Sequence, residues 1–419
     1  MILVTSLLLL STTTVLVHAD DNNDAAGGDV VAALDDGTKT MANRLLRKII
    51  QHDNHAPLGG WNDVLLPAME YSFANKKTTA ASRPSRDEDD GRRRALQWLV
   101  YEDGASSTMS SREYDATLLQ RYALAAIYYS TGGDEWTYCS KAAGVGAERE
   151  FNSPCEGGAG SRFLSSESHL LWGGVMGTQH DGRVTMLDVS NRGLVGSTFL
   201  PPELLLLGPT LELLWVHDNM ALMGSLPTYL CGNSFPNLAS LSVHKTSLTG
   251  TIPRSIYTLS KLSSLRLYGS NFTGTLSSNI GRLTNLKWLW IHDNGLTGTV
   301  PVELGLLSKL EGLTLHNNNF ESVLEYNVTE YGLLGMNILP DTVCNLTKYD
   351  LRYLWTDCEE NEYITAAAAA AAEETAVEED RFDETMRACS CCTRCFPRQR
   401  KTKDDVSEVA YDALAVERG

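Results

Sequence analysis

Apolar residues recur at a fixed interval through the middle of this chain. Leu238, Leu262, Leu286 and Leu310 stand 24 residues apart, and each opens a turn with apolar residues at its first, fourth, sixth and eleventh places and a small polar residue at its ninth. The turns read Leu238/Leu241/Val243/Thr246/Leu248, Leu262/Leu265/Leu267/Ser270/Phe272, Leu286/Leu289/Ile291/Asn294/Leu296 and Leu310/Leu313/Leu315/Asn318/Phe320. Two looser copies, opening at Val184 and Leu211, precede them at intervals of 27 residues. A period of this length marks a solenoid whose terminal turns are atypical. Period-2 alternation predicts a short strand with one face buried, and the other leucines fill the coil from its convex side. One turn cannot bury its own apolar face, so the turns must stack. The ninth place suits a side chain that hydrogen-bonds backbone in an irregular turn, which asparagine does best and Thr246 and Ser270 imitate more weakly. Arg192 holds that place in the first turn and is expected to weaken it.

Alternate strand residues point to opposite faces, and neighbouring strands lie ~4.8 Å apart. The fifth place of each turn gives Asp188, Trp215, Ser242, Arg266, Trp290, Thr314 and Trp355, and the seventh gives Ser190, His217, His244, Tyr268, His292 and His316. The concave face should therefore carry a ladder of imidazoles, interrupted by one tyrosine, beside three exposed tryptophans. Exposed aromatics on such a face suit stacking on sugar rings or anchoring a peptide. Duplication of a repeat containing Leu-x-His-Asp/Asn-Asn would leave the same histidines without any binding role. If they are a working surface, four imidazolium groups on nearby strands should repel as pH falls through the histidine range. A divalent metal on His217 and His244 is a weaker variant, with Asp218 as the one carboxylate in view; no metal site is assigned and no cofactor is implied.

Towards the N-terminus the periodicity changes. Residues 2–17 are apolar or hydroxyl-bearing and end in Val17-His18-Ala19, which reads as a signal peptide cut after Ala19, residues 1–19. The alternative is an uncleaved anchor formed by residues 2–17, shorter than the ~20 residues a span requires. Residues 20–92 are polar and charged in patches and read as a mostly disordered linker, apart from an amphipathic helical turn or two at 41–51. Arg92-Arg93-Arg94 suits either a processing site or a solvated helix start. Apolar spacing then predicts helices over 95–101 and 114–129, the second stopped by Gly132-Gly133, within a cap spanning 93–183.

The repeats, 184–358, carry Gly-x-Ile/Leu/Val-Pro after most strands, as at Gly250-Thr-Ile-Pro253 and Gly298-Thr-Val-Pro301. This resembles the plant-type subclass of leucine-rich repeat. Arg94-Ala-Leu-Gln-Trp-Leu99, Leu118-Leu-Gln-Arg-Tyr-Ala-Leu-Ala125 and Ser130-Thr-Gly-Gly-Asp-Glu-Trp136 are similar to the N-terminal cap of secreted or membrane-bound plant-type leucine-rich-repeat proteins abundant in diatoms. The resemblance covers about 94–395 and implies an α/β solenoid of about seven turns, with a curved parallel sheet, a helical N-terminal cap and a cysteine-containing C-terminal cap. Such caps continue as Cys…Trp-x-Gly-Val-x-Cys. Here Trp172-Gly-Gly-Val175-Met is followed by Gly177 where the second cysteine is expected, so the resemblance leaves Cys139 and Cys155 as partners for each other. The ending Cys344-Asn-Leu-Thr…Asp-Cys358 resembles the family's C-terminal cap, which implies a bond between Cys344 and Cys358.

An Ala/Glu-rich insertion follows at 359–388, with ten acids and two bases, and then the cluster Cys389, Cys391, Cys392 and Cys395 and a polar tail, 396–419. Four thiolates on a metal would need two spaced pairs in a reducing environment. Adjacent Cys391 and Cys392 suit disulfides better, as does the same tail in the resembling family. Nine cysteines leave at least one thiol unpaired, for which Cys231, inside the repeats, is the candidate. Asn271, Asn327 and Asn345 open glycosylation sequons that suit a secreted chain.

The net charge of −17 resides largely in the flanks, since 181–358 carries fourteen acids and eleven bases, net −3. No basic stripe is present, so nucleic acid is not an expected partner. No phosphate-binding loop, nucleophile elbow or metalloprotease motif occurs, and no catalytic residue or enzymatic activity is assigned. The expected function is recognition of an extracellular protein, peptide or polysaccharide through the concave face. The alternatives are a structural cell-covering or matrix protein and a receptor-like protein anchored in the membrane by an uncleaved N-terminal segment, the one circumstance implying a membrane partner.

Overall fold

The computed structural model describes residues 86–103, 113–137, 139–140, 161–178, 180–321, 339–358 and 394–397, with Gly37, Thr40, Met41 and Asn43. All lie in one unit, 36–419; the other unit, 1–35, lies outside the described residues. So do most of 41–51, the sequon at Asn327, Cys155, the alanine run, and the side chains of Cys358 and of the cluster at 389–395.

Helices α1 (Arg86–Tyr101) and α2 (Glu113–Ser130) precede thirteen strands among the described residues. β1 (Val175–Thr178) pairs antiparallel with β2 (Arg183–Asp188). A parallel sheet then continues through β3 (Leu213–Trp215), β4 (Ser240–Ser242), β6 (Ser264–Arg266), β8 (Trp288–Trp290), β10 (Gly312–Thr314), β12 (Tyr353–Cys358) and β13 (Arg394–Pro397). On the return side of each coil, β5 (Thr249–Thr251), β7 (Asn271–Thr275), β9 (Gly295–Thr299) and β11 (Asn319–Glu321) form a second parallel sheet. A short helix, α3 (Asp341–Cys344), opens the last turn.

The leucines that define the period make the core. Leu238, Leu241, Val243 and Leu248 are inaccessible, as are their counterparts Leu286, Leu289, Ile291 and Leu296. The ninth-place side chains run as a polar ladder beside them. Asn219 Nδ2 donates to the carbonyls of Val189 (3.0 Å) and Val216 (2.8 Å), while its Oδ1 accepts from the backbone N–H of Arg192 and Leu194. Asn294 and Asn318 repeat the arrangement, and Asp357 ends it by accepting from Asn317 N at 2.7 Å. Thr246 and Ser270 meet the same backbone with fewer contacts, of which Thr246 Oγ1 to the Val243 carbonyl (2.9 Å) matches the asparagine bonds and those of Ser270 are longer.

Arg192 meets the first turn differently from asparagine, with its Nη1 buried and without a hydrogen-bond partner. It is buried, its Nη2 donates at 3.0 Å to the carbonyls of Gly173 and Asp188, and its guanidinium lies over Trp136 and Phe163 of the cap. A long planar cation reaches backbone and aromatic partners that asparagine could not.

α2 covers the open end of the coil, and Gln120 Oε1 accepts from Val184 N at 2.6 Å on β2. α1 begins at Arg86 rather than 95, so the expected linker boundary at 92/93 falls inside it. Arg92 is neither processed surface nor solvated helix start, because its side chain is buried against Glu203. The pair ties the middle of this helix to the 3₁₀ turn Pro202–Leu206 of the first coil. Gly177, at the expected cysteine position, sits where an added Cβ would lie 2.0 Å from the Arg183 carbonyl oxygen. The hairpin leaves no room for the missing cysteine. Cys139 and Cys344 are disulfide-bonded and Cys231 is a free thiol.

Candidate functional site

The sheet places the fifth-place residues in strict register: Asp188 beside Trp215, then Ser242, Arg266, Trp290, Thr314 and Trp355. Pairing does not stop at the strand ends. The N–H of Asp218 bonds the carbonyl of His244, Lys245 that of Tyr268, Gly269 that of His292 and Asp293 that of His316. Seventh-place side chains are thereby held one strand spacing apart.

Their rings form a continuous stack. His217 lies on His244 at 4.3 Å, His244 on Tyr268 at 4.2 Å, Tyr268 on His292 at 4.4 Å and His292 on His316 at 4.4 Å, with interplanar angles of 9–15°. Trp215 and Trp355 close its ends at 6.4 and 5.9 Å. The ladder is therefore not the exposed row expected. His244, Tyr268 and His316 are buried, and His217 and His292 are half-buried, because each ring covers a face of its neighbour and leaves only an edge to water. Trp215, Trp290 and Trp355 are likewise half-buried rather than fully exposed.

Burial also changes the acid–base chemistry. It pushes His244 down to about 2, with His217 adding a smaller effect, and His292 down to about 3 with Lys245 in support. These two rings stay neutral through the histidine range, so the expected mutual repulsion of four imidazolium groups does not arise. The hydrogen bond from His217 Nδ1 (2.8 Å) holds the Asp218 carboxyl below the usual carboxylate range, and Lys245 Nζ at 3.7 Å supports this.

Two features escaped the reading of fifth and seventh places. Third-place residues also face this side: Trp288, in register with Gly312 and Tyr353, packs edge-to-face on Trp290 at 5.9 Å and against Tyr353 at 6.1 Å. The same alternation, carried back two residues, would have found them. The eighth place is left-handed in the first six turns, at Asn191, Asp218, Lys245, Gly269, Asp293 and Asn317. Asn, Asp and Gly accept this backbone at least cost, so their recurrence after the histidine was the available signal. It brings Asp218 to His217 and His244, as named from the sequence, and also Asp293 to His292 and His316, which were not.

Arg266 occupies the middle of the fifth-place row. Its guanidinium lies over Trp290, 4.3 Å from the ring centroid, and among the described residues it makes no hydrogen bond or ion pair. The centre of the face thus presents an indole-backed cation whose Nη donors make no hydrogen bond to the described residues, while its Nε is buried. Asn271 and Asn345 are exposed, as a glycosylation acceptor must be.

Among known proteins, the Leucine Rich Repeat family model matches residues 285–307. "Receptor-like protein 6" of Arabidopsis thaliana is 45% identical over 62 residues, 15% of this chain and 6% of that protein, so the chain spans a small fraction of this relative's length. Solved structures with similarity include the Arabidopsis receptor kinase HAESA in complex with the peptide hormone IDA and the co-receptor SERK1, at 27% identity and a TM-score of 0.38, covering 48% of this chain and 31% of that one. A plant ice-binding protein overlaps at 22% identity and a TM-score of 0.38, covering 48% of this chain and 58% of its own.

Proposed function

We propose that this chain, which belongs to the leucine-rich-repeat proteins, recognises a peptide, protein or polysaccharide carrying an anionic group on the outer face of its parallel sheet. The observation that supports this most directly is Arg266, stacked on Trp290 with no hydrogen bond or ion pair to any described residue. A guanidinium offers up to five donors in a fixed fork and takes a carboxylate or sulfate in bidentate fashion. Half-buried Trp215 and Trp290 on either side supply the flat apolar surface on which a sugar ring or a peptide side chain can rest. Stacked rings beside this row brace it, so little ordering cost attends binding.

The setting is secreted or cell-surface. Disulfide-bonded Cys139 and Cys344 suit an oxidising compartment, and exposed Asn271 and Asn345 suit glycosylation. Among the described residues no helix is long and apolar enough to cross a membrane. Pairing of Cys139 with Cys155 and of Cys344 with Cys358 belongs to the same reading. The name of the Arabidopsis relative, a receptor-like protein, is consistent with it.

The test is capture of acidic peptides and acidic polysaccharides by the immobilised full chain, compared with Arg266→Gln and with Trp215→Ala/Trp290→Ala. Both variants should weaken a captured ligand at least about tenfold while leaving circular dichroism and the unfolding midpoint close to the parent's. Ligand capture indifferent to both variants would sink the face as the site. No capture by a folded chain would favour a structural covering protein.

A further inference from the structure

The left-handed eighth place turns two carboxylates into the ring stack, each between imidazoles of consecutive strands. His217, Asp218 and His244 form one group and His292, Asp293 and His316 the other, and in each the three potential ligand atoms lie within 4.8 Å of one another. In the first, Asp218 Oδ2 is 2.8 Å from His217 Nδ1 and 3.9 Å from His244 Nε2. In the second, Asp293 Oδ2 is 3.7 Å from His292 Nε2. Donors at ~2.0–2.1 Å from a tetrahedral zinc ion stand roughly 3.3 Å apart. The observed spacings straddle that value, so small movements would close either group on an ion.

We propose that each group binds one divalent first-row transition-metal ion, of which Zn²⁺ is the probe of choice. Two imidazoles and one carboxylate suit such an ion, whereas Ca²⁺ and Mg²⁺ take oxygen-rich sets. The surroundings are those of ligands held in place from behind. Ser242 Oγ engages His244 Nδ1 at 2.8 Å and Thr314 Oγ1 engages His292 Nδ1 at 2.7 Å, so each ring turns its Nε2 towards the aspartate. Asn317 Nδ2 donates to Asp293 Oδ1 at 2.7 Å and leaves Oδ2 for the ion. Fixing the far nitrogen of a histidine and the far oxygen of a carboxylate is how outer partners orient metal ligands.

Packing alone accounts for the stack but not for the carboxylates. The other left-handed places carry Asn191, Lys245, Gly269 and Asn317, and aspartate occurs at the two that have a histidine before them and another on the next strand. Tyr268 separates the groups, so two independent ions are expected rather than a chain. Lys245 bears on His292 as well, but its Nζ is in direct contact with the first group's carboxylate, 3.7 Å from Asp218 Oδ1, so the second group should bind more tightly.

Titrating metal-stripped full chain with Zn²⁺ by calorimetry tests this, with Co²⁺ absorption to separate nitrogen and oxygen ligation from thiolate ligation by the cysteines. The expected result is two ions per chain without thiolate charge-transfer bands. Asp293→Asn should weaken the tighter site and Asp218→Asn the looser one, each at least about tenfold; asparagine keeps the shape and tolerates the left-handed backbone. Absence of Zn²⁺ binding, or binding that the double Asp→Asn variant leaves unchanged, overturns the proposal. A single ion lost in Asp293→Asn alone overturns the assignment of the first group. No organic ligand enters the measurement, so its failure leaves the recognition reading standing.

Discussion

Arg92 Nε lies 2.5 Å from Glu203 Oε1, and neither side chain reaches solvent. A second contact, Nη2 to Oε2 at 3.3 Å, makes the pair bidentate, and Tyr122 donates its hydroxyl to Oε1 at 3.4 Å. α1 and α2 are thus fastened to the short 3₁₀ turn Pro202–Leu206 on the back of the first coil. Breaking a buried pair leaves one charge without compensation, which costs about 3–5 kcal/mol, while replacing both partners by apolar groups costs far less. Arg92→Met and Glu203→Leu should each lower the denaturant midpoint strongly. The double variant should recover much of the loss, and additive losses would show that the two charges are not coupled.

His169 supplies a pH dependence inside the cap. Its ring is buried on Trp172, Nε2 donates to the Gly182 carbonyl at 2.9 Å, and burial pushes its pKa down to about 4. Above about 6.5 the ring is neutral in both folded and unfolded chains. As pH falls from there towards about 4, the unfolded chain takes up a proton that the folded chain refuses, so stability decreases, by up to roughly 3 kcal/mol. His169→Gln keeps a donor for Gly182 and removes the titration. Its unfolding free energy should fall less between pH 7 and pH 4.5 than the parent's; equal slopes would place the dependence elsewhere.

The polar ladder predicts unequal losses at equivalent positions. Asn294 donates to the carbonyls of Leu267 and Ile291 at 3.0 and 3.1 Å and accepts from Phe272 N at 3.0 Å, all of it buried. Ser270, one turn earlier, has only contacts of 3.3–3.5 Å to Thr246 and Val243. Leaving several buried backbone groups unsatisfied costs about 2–4 kcal/mol in Asn294→Ala, against about 1 kcal/mol or less for Ser270→Ala. Chemical denaturation of the two variants measures the difference. Losses of equal size would mean that the ladder bonds contribute no more than side-chain volume.

Much of this molecule could be read from spacing alone. The 24-residue interval placed β4, β6, β8 and β10, and the fifth-place row is paired residue for residue as the alternation requires. What spacing did not carry was the depth and attitude of the side chains. Alternation says that His244 leaves the core face; it does not say that a ring every strand spacing will lie flat on the next and exclude water. Composition misled at the two arginines. Arg92 stands in a run of three and Arg192 replaces an asparagine, and both found buried partners on segments distant in sequence. Asp218 was in view beside His217 and His244, but Asp293 depended on a left-handed backbone that the recurrence of Asp, Asn and Gly after each seventh place could have suggested.

Gly312 offers a way to disturb the outer face without dismantling the coil. A Cβ built there would stand 2.5 Å from the Trp288 ring and 3.4 Å from Trp290 Nε1, so the indole lies directly over the glycine. The obstruction is a side chain rather than backbone, and Trp288 is half-buried, so its ring must turn away from Trp290 and Tyr353 to admit the methyl group. Gly312→Ala should therefore keep the fold to within about 1 kcal/mol, since the substitution in a strand also removes chain entropy from the unfolded state. It should nonetheless shift tryptophan fluorescence, because the edge-to-face contact between Trp288 and Trp290 at 5.9 Å is lost. If ligands rest on the Trp290–Arg266 platform, their capture should weaken in parallel with that spectral change. An altered spectrum with unaltered capture would move the binding surface away from β8 and towards Trp215.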